Sequence, residues 1–220
     1  MRALTPAPLH EPTAPRGFLY VPDLVSPAEE RELLAWFAAS PAWKEITFRG
    51  QTARRRAMAF GARYLTQGRR LMPAPPLPLE LVVYRDRMVD AACVRLGREL
   101  ALVGRRFEDF ALCTALRYPP GAGIGWHADS PAYGPTVLSL SLGAAACLQL
   151  RRSDSEDTNM PFELVLARRS LFVLAGEART SWMHRVLPVR EERYSLTVRC
   201  RARRPSNASP RSDRWRRLCR

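Results

Sequence analysis

VLSLSLG (137–143), followed two residues later by ACLQL (146–150), alternates apolar and polar or small side chains with a period of two. That period belongs to a β-strand, whose successive side chains point to opposite faces. The same reading extends upstream to FALCTALRY (110–118), where Phe110, Leu112, Thr114, Leu116 and Tyr118 fall on one face. It extends downstream to ELVLA (163–167), SLFVLAG (170–176) and YSLTVRC (194–200), short strands separated by turns. No helical segment of about twelve residues lies between them, which argues against a parallel α/β sheet and for antiparallel pairing.

The first half of the chain reads differently. GFLYVPDL (17–24) is a short strand, and Ser26-Pro27-Ala28-Glu29 carries the marks of a helix start. Ser26 caps, Pro27 suits the first helical position and Glu29 completes a capping box. Leu33, Leu34 and Phe37 then share a face until Ser40-Pro41, and 43–77 is mixed. A second helix is expected from Leu79 to about Leu102, with Val89, Ala92/Cys93, Leu96 and Leu100 three to four apart. Helices first and antiparallel strands after predict an α+β domain. Its core is a jelly roll (a double-stranded β-helix) with the N-terminal helices packed on one face. The expected organisation is a disordered proline-rich leader over 1–15, a domain over 16–201 and a basic disordered tail over 202–220.

Bulk composition narrows the class. An apolar share of 46% supports a substantial core. No apolar run reaches the roughly 18 residues of a transmembrane helix, and the leader lacks the apolar region of a secretory signal. The five cysteines are odd in number and form no CxxC pair. Cys93, Cys113 and Cys147 lie in apolar sequence, so reduced buried thiols in a cytoplasmic protein are expected. The formal charge is +14, and Lys44 is the only lysine among 35 basic residues. Such an excess favours a polyanionic partner; a solvated arginine-rich face is the competing explanation. No membrane association is expected, and no interface pattern is legible, so a monomer is expected.

Two segments carry chemistry. YPPGAGIGWHADS (118–130) ends a glycine-rich run in His127 and Asp129, and the chain has only three histidines. Three readings compete: a turn that contains a histidine, an acid/base pair, or part of a metal site. On a strand the two side chains would share a side, and Gly123 and Gly125 suit a bend at a barrel mouth. His184, in SWMHRVLP, is the only other histidine outside the leader. Two histidines and a carboxylate form the facial triad of non-haem iron oxygenases. A buried strand histidine satisfied by a backbone carbonyl is the simpler alternative. In RYSLTVR (193–199), Arg193, Ser195, Thr197 and Arg199 share one face. Pointed inward, the two arginines require an anion, and a small dicarboxylate clamped by guanidinium forks would satisfy them. Tyr118 could donate to the same anion. Alternatively the segment is an edge strand with solvated arginines and buried Leu196 and Val198.

In this order, RYPPGAGIGWHAD, VLSLSLG, RRSLFVLAGEARTSWMH and RYSLTVR resemble the AlkB family of iron(II)- and 2-oxoglutarate-dependent dioxygenases, over roughly residues 17–201. The third segment looks most like the subgroup that includes transfer-RNA-modifying members. The resemblance implies Fe(II) on His127, Asp129 and His184, with dioxygen as oxidant. It implies 2-oxoglutarate on Tyr118, Arg193, Ser195 and Arg199, with the distal carboxylate on Arg193. It further implies oxidative demethylation of alkylated bases in DNA or RNA, presented single-stranded or flipped out. Alternatives are a transfer-RNA wobble base, a methylated protein side chain, or a catalytically dead basic module that only binds nucleic acid.

Segment 47–77 is placed like the family's nucleotide-recognition lid. Arg54, Arg55 and Arg56 are candidates for phosphates, and Phe60 and Tyr64 for stacking on a base; a core Phe60 under a solvated basic hairpin is the alternative. Trp126, Ser130 and Trp182 complete the substrate candidates. The sequence departs from the family pattern in three places. Ser195 replaces an asparagine, as in divergent branches, and Leu116 stands where asparagine is frequent. Ser130-Pro131-Ala132-Tyr133 follows the His-x-Asp in place of the repair enzyme's acids. Base recognition must therefore differ.

Overall fold

The computed structural model describes residues 13–48, 50–65, 70–96, 109–153 and 161–201. The chain begins with β1 (Phe18–Val21) and α1 (Pro27–Ala39), followed by β2 (Lys44–Phe48), β3 (Gln51–Phe60), β4 (Ala62–Leu65) and β5 (Arg70–Pro73). Then come α2 (Leu79–Leu96), β6 (Leu112–Tyr118), β7 (Ile124–His127), β8 (Tyr133–Gly143) and β9 (Ala146–Arg152). It continues through β10 (Phe162–Leu166), β11 (Leu171–Leu174), α3 (Gly176–Thr180), β12 (Trp182–Val186) and β13 (Arg193–Arg201).

Every strand pairing among the described residues is antiparallel. A seven-stranded sheet has the order β1-β11-β8-β13-β6-β3-β2, and a four-stranded sheet the order β10-β9-β12-β7. The hairpin β4–β5 stands apart as its own ribbon. This is the jelly-roll architecture, with the larger sheet carrying the helices.

The core lies in two layers. Leu138, Leu140 and Leu142 of β8 join Leu196 and Val198 of β13 in a cluster with Leu33 and Phe37 of α1 and Leu81, Met88 and Val89 of α2. Between the sheets, Tyr118 and Val137 pack with Leu148, Leu150 and Val186. The alternation of VLSLSLG therefore does not divide core from solvent. Its leucines face the helices, and Ser139 and Ser141 are also buried, on the face that looks between the sheets. An alternating strand in an antiparallel sheet commonly exposes its polar side. Here that side faces the interior of the barrel.

Several expectations change. Beyond Leu96 the expected second helix, including Leu100, lies outside the described residues. Its buried face is Leu81, Tyr84, Met88, Val89 and Ala92, whereas Cys93 is exposed, because the helical stripe turns away from the core at that position. Cys113 and Cys200 are buried and Cys147 is half-buried. The expected leader and tail fall mostly outside the described residues. Pro15 is buried, and its carbonyl accepts from the Phe18 amide at 3.0 Å. The mixed stretch after residue 43 forms two hairpins, β2–β3 and β4–β5.

The cap at α1 forms as its sequence indicates. Ser26 Oγ accepts from the Glu29 amide at 3.2 Å, and Glu29 Oε2 accepts from the Ser26 amide at 2.8 Å. Arg87 of α2 grips the same carboxylate at 2.9 and 2.7 Å, tying the two helices together. The neighbouring Glu30 is fully buried, a placement its sequence context does not announce. It accepts from the Gly143 amide at 2.9 Å and from Arg168 Nη2 at 2.7 Å, so it joins α1 to the turns after β8 and β10. Removing this buried carboxylate takes the acceptor from the Gly143 amide and the anion from Arg168 and Arg169. Glu30→Ala should therefore lower stability by about 3 kcal/mol, read as a fall in the urea midpoint.

The Arg87 hydrogen bonds, aided by the Ser26 amide, pull the Glu29 carboxyl from 4.5 down to about 2. A depressed carboxylate stabilises the fold fully above its unfolded value and loses that stabilisation as pH falls toward the folded value. The stability gap between wild type and Arg87→Ala should thus be widest near neutral pH. It should shrink as pH drops from 4.5 to about 2, measured by urea denaturation across that range.

Candidate active site

The strand β13 lies at the centre of the larger sheet, between β8 and β6. This rules out the edge-strand reading of its arginines. Leu196 and Val198 point to the helices; Arg193, Ser195 and Thr197 point between the sheets and are buried. Arg193 is 1% exposed and sits opposite Tyr118 on one side and Gly143 on the other. Its Nε donates to Ser141 Oγ at 3.1 Å, and its guanidinium carbon lies 4.9 Å from the centre of the Tyr118 ring. Burial pushes the guanidinium down from its ordinary value, while the Tyr118 hydroxyl opposes that shift. Nη1 is buried and has no hydrogen-bond partner among the described residues. Ser139 and Thr197 satisfy each other at 3.0 Å.

The two core-region histidines meet across the smaller sheet. His127 closes β7, and His184 lies directly opposite it on β12. Their ring centres are 4.2 Å apart. His127 Nδ1 lies 2.8 Å from the Gly125 carbonyl. A carbonyl only accepts, so Nδ1 carries the proton and Nε2 keeps its lone pair. Burial, then the neighbouring His127, lowers His184 to about 3. Burial also lowers His127. Both rings are therefore neutral near pH 7.

Asp129 lies just past the end of β7 rather than on it, so its approach comes from the loop and not from strand alternation. Its side chain is 7% exposed, and Oδ1 accepts from Arg199 Nη2 at 2.9 Å. Burial opposes its ionisation, but Arg199, with Arg179 adding to it, outweighs that, and its carboxyl stays below the usual range. Oδ2 is buried and has no hydrogen-bond partner. No set of three His, Cys, Asp or Glu side chains among the described residues is drawn to metal-binding distance. The donor chemistry nonetheless fits a divalent cation: two neutral imidazoles with a carboxylate that has one oxygen free of hydrogen bonds.

Arg199 is thus engaged differently from the expectation. Asp129 is the anion within its reach, and the guanidinium also lies 4.8 Å from the centre of the Tyr133 ring. Its Nε remains buried without a partner. With Arg193 Nη1 and Arg179 Nε, three buried guanidinium donors of the site lack a hydrogen-bond partner among the described residues, and a small dicarboxylate would answer such donors.

The glycine run is held by arginines. Gly121 adopts φ +77°, and a Cβ there would lie 2.7 Å from Arg54 Nη1. Arg54 Nη2 donates to the Pro120 carbonyl at 2.9 Å, and Arg55 Nη1 to the Gly123 carbonyl at 3.1 Å. A Cβ on Gly123 would come within 2.7 Å of the Val186 carbonyl, so glycine permits β7 to begin against the end of β12. Gly125 has open space around it and needs no glycine for packing. From α3, the buried Arg179 donates to the backbone carbonyls of Asp129 at 3.2 Å and Ser130 at 3.0 Å.

These elements wall a cavity of ≈ 1370 Å³. Arg55, Tyr64, Trp126 and Ser130 line it, as do His127, Asp129 and Arg199. Tyr118, His184, Arg193 and Ser195 lie outside that lining.

The other substrate candidates are placed elsewhere. Arg54 is spent on the glycine loop. Arg56 is exposed and paired in register with Arg117 and Glu45. Phe60 is a core residue at 7% exposure, 6.4 Å from Trp36, because alternation along β3 turns Met58 and Phe60 toward the helices. Trp182 packs against the inter-sheet core with its Nε1 3.4 Å from Glu177 Oε1. Trp126 is flanked by the guanidinium groups of Arg151 at 4.6 Å and Arg185 at 4.5 Å. Tyr133 and Arg179, which also line the cavity, were given no role from the sequence. The only signal for Arg179 is its place five residues before His184 in GEARTSWMH.

Comparison with known proteins agrees with this geometry. The family model for the 2OG-Fe(II) oxygenase superfamily matches residues 17–210. The chain is 29% identical over 179 residues to tRNA (carboxymethyluridine(34)-5-O)-methyltransferase ALKBH8 of Mus musculus, covering 79% of this chain. It spans only 24% of that relative's own length. It is 28% identical over 196 residues to the Danio rerio protein named probable RNA/DNA demethylase ALKBH6, covering 84% of this chain and 75% of that protein. The solved structure of OsALKBH1 superposes with a TM-score of 0.64 at 18% identity, over 86% of this chain and 99% of that one. A Pseudomonas putida prolyl-4-hydroxylase superposes with a TM-score of 0.55 at 17% identity, over 84% and 92% of the two chains. With this fold and donor set, the chain belongs to the 2OG-Fe(II) oxygenase superfamily, a family that works with Fe(II), 2-oxoglutarate and O2, and it is similar over most of its length to AlkB homologues.

Proposed function

We infer that this dioxygenase oxidatively demethylates alkylated bases in DNA or RNA, with His127, Asp129 and His184 as the residues that hold Fe(II). The observation that carries the reading is Arg193, a fully buried guanidinium with an unpartnered Nη1, aimed between the sheets beside Tyr118. Arg193 and Tyr118 take the distal carboxylate of 2-oxoglutarate, and Arg199 offers its Nε toward the other end.

When bound, Fe(II) and 2-oxoglutarate supply oxidative decarboxylation, which yields succinate and carbon dioxide and delivers hydroxyl to a substrate C–H bond. On an N-methyl group the hydroxylated carbon leaves as formaldehyde. The protein's part is placement. The Gly125 carbonyl holds the His127 proton on Nδ1 and so keeps Nε2 free to bind metal. Arg199 keeps Asp129 ionised, and Arg179 fixes the backbone on which that carboxylate stands. Leu148, Leu150 and Val186 keep water from the space between the sheets.

Nucleic acid as substrate is supported by a cavity wall that combines arginine with Tyr64 and Trp126. It is also supported by similarity to a protein named an RNA/DNA demethylase over most of both chains. The base would enter single-stranded or flipped out. A transfer-RNA base is the second reading, favoured by the ALKBH8 match across the described domain. The leader and tail boundaries, action as a monomer and a cytoplasmic location belong to the same proposal. Among the described residues no helix is long and apolar enough to cross a membrane.

Succinate and formaldehyde release with methylated single-stranded DNA, or with modified transfer RNA, tests the reading. His127→Ala, Asp129→Ala and His184→Ala should each abolish both products, and wild-type succinate from all three would sink the ligand assignment. Arg193→Gln should raise the KM for 2-oxoglutarate by about 10- to 100-fold, the worth of a charged hydrogen bond. An unchanged KM would place the co-substrate elsewhere.

A further inference from the structure

The charges in the cavity wall are unevenly answered. Among the described residues, Asp129 is the only carboxylate in the lining, and Arg199 already neutralises it at 2.9 Å. Two further guanidiniums, Arg55 and Arg179, also line the cavity. Their recorded hydrogen bonds go to backbone carbonyls: Gly123 for Arg55, Asp129 and Ser130 for Arg179. A carbonyl satisfies the N–H groups and leaves the positive charge standing. Among the described residues, the acids of the adjoining elements are engaged or turned away. Glu177 of α3 pairs with Arg152 at 3.0 Å, and Glu45 of β2 is exposed opposite Arg56. Glu163 of β10 bonds Gln149 on β9. Under the function proposed above, the charge of Fe(II) is balanced by the 2-oxoglutarate dianion. The described wall therefore presents a net positive field to whatever enters.

Alkylation of a base has two electrostatic outcomes. A methyl group on a ring nitrogen such as N1 of adenine produces a cation. The same methyl group on the exocyclic amine leaves the base neutral. A cation brought into a partly enclosed site beside two guanidiniums meets repulsion that salt screens little. A neutral base meets none, and a group bearing negative charge would be attracted.

We propose that Arg55 and Arg179 make the cavity a charge filter, which admits a base whose alkylated group is uncharged and rejects one that carries a fixed positive charge. Arg55 reaches the cavity because alternation along β3 turns it to the inner face. Arg179 reaches it from α3, beside the metal-donor loop. Both are specificity-determining residues for the reading given under the proposed function, on which this inference rests.

The test uses two isomeric single-stranded oligonucleotides, one with 1-methyladenine and one with N6-methyladenine at the same position. They carry the same heavy atoms and differ by the one proton that leaves 1-methyladenine cationic at neutral pH. Formaldehyde release by the full chain with Fe(II) and 2-oxoglutarate gives kcat/KM for each. The ratio is independent of the folded fraction of a preparation. The neutral isomer should be favoured by on the order of tenfold or more. Arg55→Gln keeps an N–H donor for the Gly123 carbonyl but removes the charge, and should cut that ratio severalfold. Ser130→Asp keeps a side-chain acceptor for the Ala132 amide and adds a carboxylate to the wall, and should cut it further.

Equal or faster turnover of the cationic isomer by wild type would overturn the filter while leaving demethylation intact. A ratio unmoved in both variants would do the same. Turnover of neither isomer, with 2-oxoglutarate still bound, would overturn the base-demethylation reading and the filter together.

Discussion

A guanidinium withdrawn from water on the central strand of a sheet is the constraint that the rest of this structure accommodates. Arg193 cannot be left in an apolar layer, because burying a charge without partners is among the costliest events in folding. The surrounding strands answer it with small polar groups. Ser141 accepts its Nε, Tyr118 lies against its plane, and Ser139, Ser195 and Thr197 continue the polar stripe along β8 and β13. The leucines of the same strands meet the helices on the opposite face. One face of the sheet builds the core while the other builds a binding site. The alternation that makes the strands also separates these two tasks.

Arginine recurs in this protein as a backbone clamp rather than as a surface charge. Arg54 and Arg55 hold the carbonyls of the glycine run, and Arg179 holds those of Asp129 and Ser130. The planar, multi-donor guanidinium suits this work, since one side chain can bind two carbonyls at fixed angles. The loop that carries His127 and Asp129 contains three glycines and would otherwise be loosely determined. Side chains from β3 and α3 fix it, while Gly123 lets it pack directly on β12. The chain's preference for arginine over lysine therefore has a structural use besides raising its net charge.

Much of the arrangement was legible in the sequence, for local reasons. The capping box at Ser26 and the period-two strands follow from spacing and side-chain chemistry. What misled was any inference that needed to know which neighbour lies across a gap. Phe60 and Tyr64 look alike as stacking residues, yet one faces α1 and the other the cavity. The run Arg54-Arg55-Arg56 reads as a single phosphate-binding patch. Strand geometry instead sends its members to a loop, to the cavity and to solvent. Asp129 was expected on the strand with His127, but β7 ends at the histidine and the carboxylate turns to Arg199. Glu30 carried no signal at all, because its partners lie more than a hundred residues away.

By itself, the sequence indicated the class of the protein: antiparallel strands after helices, two histidines and an aspartate as candidate metal donors, and a strand whose arginines could face inward. Periodicity and residue chemistry are local properties, and they suffice for that. The tertiary structure decided which charges are answered and which are not. Arg199 neutralises Asp129, whereas Arg55 and Arg179 bind only neutral carbonyls and leave their charge in the cavity wall. Electrostatic balance depends on distances between residues remote in the chain, and only folding sets those distances.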